Sequence, residues 1–247
     1  MTDRGPAPSR LAPPESIGAL RRQRLSWARL YFVCEALPYG QDPERLLNAT
    51  MGVGAGMIEL RDREQPKSVI QRSGATFRRL ANTYSALFIV NDDPYLAMEL
   101  DADGVHVGQD DMDPVEARRI MGSDAIIGLS THSREQIDAA ANQPVDYISV
   151  GPIWETPTKE GRPATGLELI EAAAEIATVP WFAIGGIDPG NVEQVVAAGA
   201  ERICVVRAIR DAEDPRAATA ALFDAVDPAE RAETRGRATG GAEDRPV

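Results

Sequence analysis

The stretch that decides the fold opens with Leu87-Phe88-Ile89-Val90, turns through Asn91-Asp92-Asp93-Pro94, and runs on in mixed polar and apolar residues to Leu100. It then begins again, with Asp103-Gly104-Val105-His106-Val107, the turn Gly108-Gln109-Asp110-Asp111, and a second mixed segment from Pro114 to Met121. Each half holds an apolar run of strand length, a polar turn, and a segment whose apolar residues recur every three or four positions, the helical period. A strand followed by a helix, twice in succession, implies a parallel sheet.

Working outward, the unit recurs. Apolar runs stand at 30–34, 57–60, 87–90, 103–107, 125–129, 146–150, 181–184 and 202–206. Helix-like stretches lie at 43–51, 68–83, 94–100, 114–121, 133–141, 167–177, 189–198 and 214–226. Eight such units predict an α/β fold, a single (β/α)8 TIM barrel, for which 247 residues is an ordinary length. Asp42-Pro43, Asp113-Pro114 and Asp188-Pro189 place a capping carboxylate before a proline at a helix start. A further N-terminal helix is expected near 16–28, where Ile17, Leu20, Leu25 and Trp27 mix with arginines. Residues 1–15 are proline-rich and 228–247 have no core-forming pattern, so both tails are expected to be disordered and the catalytic domain to span 16–227. Gly52, Gly54 and Gly56 follow a helix and precede a strand, the reverse of the dinucleotide-binding order, and read as a turn at the bottom of the barrel.

A formal net charge of −12 repels nucleic acid and anionic membranes. No apolar stretch approaches the roughly 20 residues of a membrane helix, and residues 1–15 lack the apolar segment of a signal peptide. Cys34 and Cys204 each sit inside an apolar run and read as small core residues in a reducing, cytoplasmic setting. An anionic substrate would need a local cluster of cations to overcome the global charge.

In such a barrel the active site lies where the strands end. Glu59, Arg61 and Arg63 alternate after the second strand and so share a face. Asn91 and Asp92 follow the third, Gln109, Asp110 and Asp111 the fourth, and Ser130, Thr131 and His132 the fifth. The sixth leads into Gly151-Pro152-Ile153-Trp154-Glu155-Thr156-Pro157-Thr158-Lys159, the seventh into Gly185-Gly186, and the eighth into Val206-Arg207. Carboxylates on neighbouring strands, several cations and no cysteine at this rim suit a hard divalent cation completed by a phosphorylated substrate. Arg61, Arg63 and Lys159 would neutralise phosphate oxygens. Gly185-Gly186 and the loop after the last strand are placed like the phosphate cradle of these barrels. His106 reads as a packed residue, Trp154 equally as loop packing or substrate wall, and Arg118, Arg119, Arg134 and Glu135 as solvated helix faces.

These segments resemble the thiamine phosphate synthase family along nearly all of 28–210. The resemblance rests on Ile58-Glu59-Leu60-Arg61-Asp62-Arg63, Ile89-Val90-Asn91-Asp92, Asp103 through Asp111, Ile127 through His132, Val150-Gly151-Pro152-Ile153 through Lys159, and Ala183-Ile184-Gly185-Gly186-Ile187. It implies a Mg2+-dependent transferase of thiamine biosynthesis that joins a pyrimidine diphosphate to a thiazole phosphate. Asp92 and Asp111 would bind the metal. Arg61, Asn91, Ser130 and Lys159 would hold the diphosphate, with Arg63 part of the same motif. Thr156, Thr158 and Gly186, with the backbone near Val206, would hold the thiazole phosphate. Arg61, Ser130 and Lys159 are the expected catalytic residues, and Glu59, Leu60, Asp62, Pro157 and Arg207 complete the expected substrate-binding set. The family usually carries Gln in place of Glu59, Lys in place of Arg63 and Ser in place of Arg207. The rival readings are a thiazole tautomerase on the same scaffold and a non-catalytic relic that binds thiazole phosphate. The sequence leaves the oligomeric state open, a homo-oligomer included.

Overall fold

The structure, a computed structural model, describes residues 16–156 and 163–227; the expected disordered tails, together with Pro157, Thr158 and Lys159, lie outside them. Eight parallel strands close in sequence order: β1 (Leu30–Cys34), β2 (Met57–Leu60), β3 (Leu87–Asn91), β4 (Gly104–Val107), β5 (Ile126–Thr131), β6 (Tyr147–Val150), β7 (Trp181–Ile184) and β8 (Ile203–Val205). β1 pairs with β8 through Tyr31 and Cys204, which completes the barrel. Between the strands run α2 (Glu44–Met51), α3 (Lys67–Tyr84), α4 (Pro94–Glu99), α5 (Pro114–Met121), α6 (Arg134–Ala140), α7 (Glu168–Ile176) and α8 (Val192–Ala197). α1 (Ile17–Trp27) precedes the barrel, and α9 (Arg207–Arg210) and α10 (Pro215–Val226) follow it.

Strand alternation splits the buried residues into two sets. Phe32, Ile58, Phe88, Val105, Ile127, Ile148 and Ile203 face outward and pack under the helices. Tyr31, Met57, Leu87, Ile126, Tyr147, Phe182 and Cys204 face inward. Toward the strands' C-terminal ends the interior turns polar, with Glu59, His106, Ser130 and Ser149 all buried. Gly128 makes this layer possible: a Cβ there would lie 2.2 Å from the Tyr147 ring and 2.5 Å from His106 Nδ1.

Several local expectations are revised. α8 begins at Val192, not at 189, because Asp188 closes a turn on the Gly190 amide at 2.7 Å in place of capping a helix. Arg118 is not solvated; it binds Asp146 at 2.6 Å and the Pro144 and Ala125 carbonyls. Ile17 and Trp27 of α1 are exposed, while Leu25 is buried in the core as expected, and Arg21 on Asp103 and Arg22 on Asp146 add polar anchors that the sequence did not signal. The Gly52–Gly56 segment is the α2–β2 turn, where the Val53 and Ala55 amides bond to the Thr50 carbonyl.

Candidate active site

A cavity of about 300 Å3 opens at the C-terminal ends of the strands. Its walls include Glu59, Arg61, Arg63, Asn91, Asp92, Asp111, Ser130, Thr156, Gly186, Val206 and Arg207, drawn from all seven strand ends that the sequence singled out. The alternation of Glu59, Arg61 and Arg63 holds: β2 continues past Leu60 through the Arg61 amide, bonded to the Cys34 carbonyl at 2.9 Å, and all three side chains reach the cavity.

Two of the expected binding residues are directed elsewhere. Leu60 is buried in the outer core. Asp62 accepts the Ala36, Glu64 and Gln65 amides at 3.0–3.1 Å, which organises the loop after β2. Neither lines the cavity, because both point to the opposite face from Glu59 and Arg61.

Asp92 and Asp93 divide two jobs. Asp93 caps α4, accepting the Tyr95 amide at 2.9 Å and the Leu96 amide at 3.0 Å. Asp92 is thereby released from capping, and its positive φ of 62° sends its carboxylate into the mouth. Asp111 leans on the Gly108 amide at 2.9 Å and faces it. Arg63 pairs closely with Asp92 and lies 3.9 Å from Asp111. Burial pushes the Asp92 carboxyl above its ordinary range, the bond from Arg63 pulls it down, and the neighbouring Asp111 pushes it up again. Two carboxylates therefore share one guanidinium. Beside them Asn91 Oδ1 is buried with no hydrogen-bond partner among the described residues. These hard oxygen donors fit a divalent cation. Among the described residues no group of three or more His, Cys, Asp or Glu is arranged for a metal. The described residues therefore supply at most a partial protein shell for a cation.

Across the mouth, Gly186 adopts φ 71°, and a Cβ there would lie 2.8 Å from Trp154 Cβ. Its carbonyl is held by Asn191 Nδ2 at 2.8 Å. Trp154 packs against the core and does not line the cavity, which decides for loop packing. Arg207 opens α9, a short helix that the sequence did not signal, and forms no ion pair with any described residue.

The sequence matches the family described as thiamine monophosphate synthase over residues 30–209. The chain belongs to the thiamine monophosphate synthase family. It is 48% identical over 198 residues to a thiamine-phosphate synthase of Thermus thermophilus, covering 78% of this chain and 95% of that protein. It is 44% identical over 210 residues to a thiamine-phosphate synthase of Nostoc punctiforme, covering 84% of this chain but only 58% of that protein. A solved thiamine phosphate pyrophosphorylase from Pyrococcus furiosus superposes with TM-score 0.74 at 32% identity, over 83% of this chain and 96% of that one. No helix among the described residues is long and apolar enough to cross a membrane.

For a member of the thiamine monophosphate synthase family, the floor of the cavity is the part that the sequence did not announce. Tyr31 donates to Glu59 and lies 3.1 Å from the Tyr147 hydroxyl. Tyr147 in turn meets His106 Nδ1 at 3.0 Å, and His106 Nε2 meets Ser130 Oγ at 3.0 Å. Burial first, and the charge of Glu59 second, hold the Tyr31 and Tyr147 phenols well above their usual range. Both remain protonated donors. His106 is packed as expected, but within a polar chain that lines the cavity. His132 turns to the Gly151 carbonyl and lies outside the lining. Both cysteines are buried, and Cys204 also lines the floor. The missed residues Tyr31, Tyr147, Ser149 and Cys204 lie inside strands. Their only signal was a polar or polarisable side chain on the inward alternation.

Proposed function

We propose that this chain condenses 4-amino-2-methyl-5-(diphosphooxymethyl)pyrimidine with 4-methyl-5-(2-phosphoethyl)thiazole, or its carboxylate, giving thiamine phosphate and diphosphate, with CO2 released as well when the carboxylate is the substrate. The observation that carries the reading is the pair Asp92 and Asp111 sharing Arg63, in one cavity with the Gly186 turn and Arg207. The first group suits a diphosphate with its cation; the second suits a lone phosphate.

Asp92 and Asp111 would hold Mg2+, which when bound neutralises the leaving diphosphate. Arg61, Arg63 and Asn91 orient the diphosphate from β2 and β3, and Lys159, outside the described residues, is assigned to it from the β6 loop. Gly186, the backbone at Val206, Thr156 and Arg207 take the thiazole phosphate, with Thr158 and Pro157 from the same loop. The methylene carbon–oxygen bond breaks with its electron pair leaving on diphosphate. The thiazole nitrogen then forms the new bond to that carbon. A dissociative path needs positioned charge and exclusion of water more than it needs a base. We place the reaction in the cytoplasm, where two buried thiols stay reduced.

The test is to mix both substrates with and without Mg2+ and follow diphosphate release. Release that requires both the metal and the pyrimidine diphosphate supports the reading. Isomerisation of a thiazole phosphate without metal would support the tautomerase instead. Binding without turnover would support the relic.

A further inference from the structure

One side chain ties the loop after β1 to the loop after β8. β8 is three residues long, pairs with β1 from Leu30↔Ile203 to Phe32↔Val205, and gives way at Val206 to the single turn of α9. A helix of four residues has too few internal bonds to hold its own place. Ile209 anchors it by full burial in the outer core. Arg210 fastens its other side. The Arg210 guanidinium binds Glu35, the first residue after β1, and grips both oxygens of Asp211, Nε to Oδ1 at 2.5 Å and Nη2 to Oδ2 at 3.2 Å. It also lies 5.3 Å from the centre of the Tyr39 ring, whose hydroxyl donates to Asp211 at 2.7 Å. Tyr39 holds φ 53° within the turn Pro38–Gly40, a left-handed conformation uncommon for an aromatic residue.

Glu35, Tyr39, Arg210 and Asp211 do not line the cavity, whereas Val206, Arg207 and Ala208 do. Yet Arg207 stands three residues before Arg210 and four before Asp211, the spacings at which helical side chains are neighbours. The Asp211 amide also donates to the Arg207 carbonyl at 2.9 Å. The bond from Arg210 chiefly holds the Asp211 carboxyl below its ordinary range; burial opposes it, and Tyr39 and the charge of Arg207 add to it. Asp211 is therefore within electrostatic reach of Arg207, but Arg210 and Tyr39 occupy its oxygens. Without Arg210, a guanidinium and a carboxylate four residues apart would pair, as they do along a helix. That pair would draw Arg207 away from the cavity.

We infer that Arg210 is a positioning residue for the phosphate end of the cavity: tethered to Glu35, it occupies Asp211 and so keeps Arg207 turned toward the ligand. The inference rests on the proposed function, which assigns Arg207 and the backbone at Val206 to the thiazole phosphate. Arg210 touches no substrate. It acts by withholding a competing carboxylate, so its effect is confined to the ligand that Arg207 meets. The pyrimidine diphosphate, assigned to the β2–β4 side, should not feel it.

The experiment titrates the full chain by calorimetry with 4-methyl-5-(2-phosphoethyl)thiazole and, separately, with the pyrimidine diphosphate and Mg2+. Arg210→Gln is expected to raise the first Kd about tenfold and leave the second within about twofold, a coupling of ordinary size for neighbouring charges. Adding Asp211→Asn to Arg210→Gln should bring the thiazole phosphate Kd back to within about threefold of wild type, because the competing charge is gone. A residue that merely buttressed the loop would show no such rescue. An unchanged Kd in Arg210→Gln, an equal rise in both constants, or a double variant no better than the single one overturns the inference. If Arg210→Gln fails to fold, Arg210→Lys takes its place, since a lysine is a point charge without the two-pronged grip on Asp211. A smaller rise that Asp211→Asn reverses then supports the inference; no rise, or one that Asp211→Asn leaves standing, overturns it. Diphosphate release by the wild type tests the parent reading separately. Its absence refutes the synthesis while the binding constants still decide the role of Arg210, and a wild type that does not bind the thiazole phosphate overturns both.

Discussion

Below the barrel, Asp103 accepts from Arg21 at 2.9 Å, Arg78 at 3.0 Å and the Phe88 amide at 2.9 Å. Asp146 does the same with Arg22 at 2.8 Å, Arg118 at 2.6 Å and the Ile127 amide at 2.8 Å. At the mouth the same residue types meet in a different ratio: Asp92 and Asp111 share Arg63. The lower carboxylates are 6% and 9% exposed, the upper ones 24% and 30%. Two guanidiniums and a backbone donor per carboxylate complete a site and leave nothing to bind. Among the described residues, one guanidinium pairs with the two carboxylates, which are more open to solvent than the lower pair. The lower pairs hold α1 to the strands; the mouth carboxylates are the ones to which the proposed function gives a ligand.

The bottom should break hardest. Asp103→Ala or Asp146→Ala strips the partner from two arginines and an amide, and should cost about 3–5 kcal/mol of stability, the scale for breaking a buried pair from one side. Denaturant unfolding measures it. Turnover per folded molecule should stay at the wild-type value. A loss below about 1 kcal/mol would mean that water replaces the carboxylates and the closed appearance of this end is misleading.

The mouth should break in the other currency. Asp92→Ala or Asp111→Ala should lower turnover by about 10²-fold or more, the scale for removing one transition-state electrostatic group. Stability should hold or rise, because the remaining carboxylate then has Arg63 to itself. Full activity of either variant, or of the wild type in excess EDTA, would remove the metal from the mechanism. A variant of the lower set that lost turnover, or one of the upper set that lost fold, would blur the comparison at once.

Much of this division was legible beforehand. Each apolar run became a strand with ends displaced by at most two residues, since a parallel barrel buries both faces of every strand and leaves a continuous apolar signal. That same continuity hid the floor. Tyr31 and Tyr147 sit among residues as buried as themselves, and only closure of β1 onto β8 determines which alternation looks inward. Asp92 and Asp93 are adjacent identical residues whose roles part on a positive φ that no composition reveals. Arg118 and Arg119 look alike on α5, yet one reaches Asp146 and the other pairs with Glu116 at the surface. Four residues are too few for a periodic pattern, so α9 gave no sign of itself.

Arg207 is the smallest effect and the sharpest test of the mouth. Its guanidinium could have been spent locally, on Asp188 or Glu213, as the lower arginines are on their aspartates. No such pair forms among the described residues, and the side chain lines the cavity beside Gly186. Asp211 lies near enough for Arg207 to help hold its carboxyl low, though Arg210 is the larger cause. The proposed function assigns its donors to the thiazole phosphate, and charge-assisted bonds to a phosphate are what a guanidinium makes best. Arg207→Ala should raise KM for the thiazole phosphate roughly tenfold, about 1.4 kcal/mol of binding. KM for the pyrimidine diphosphate should barely move, since that ligand is assigned to the β2–β4 side. If both constants rose together, Arg207 would be shaping the whole mouth; if neither moved, backbone amides alone would hold the phosphate. Either result would place Arg207 with the structural arginines below the barrel and not with Arg63.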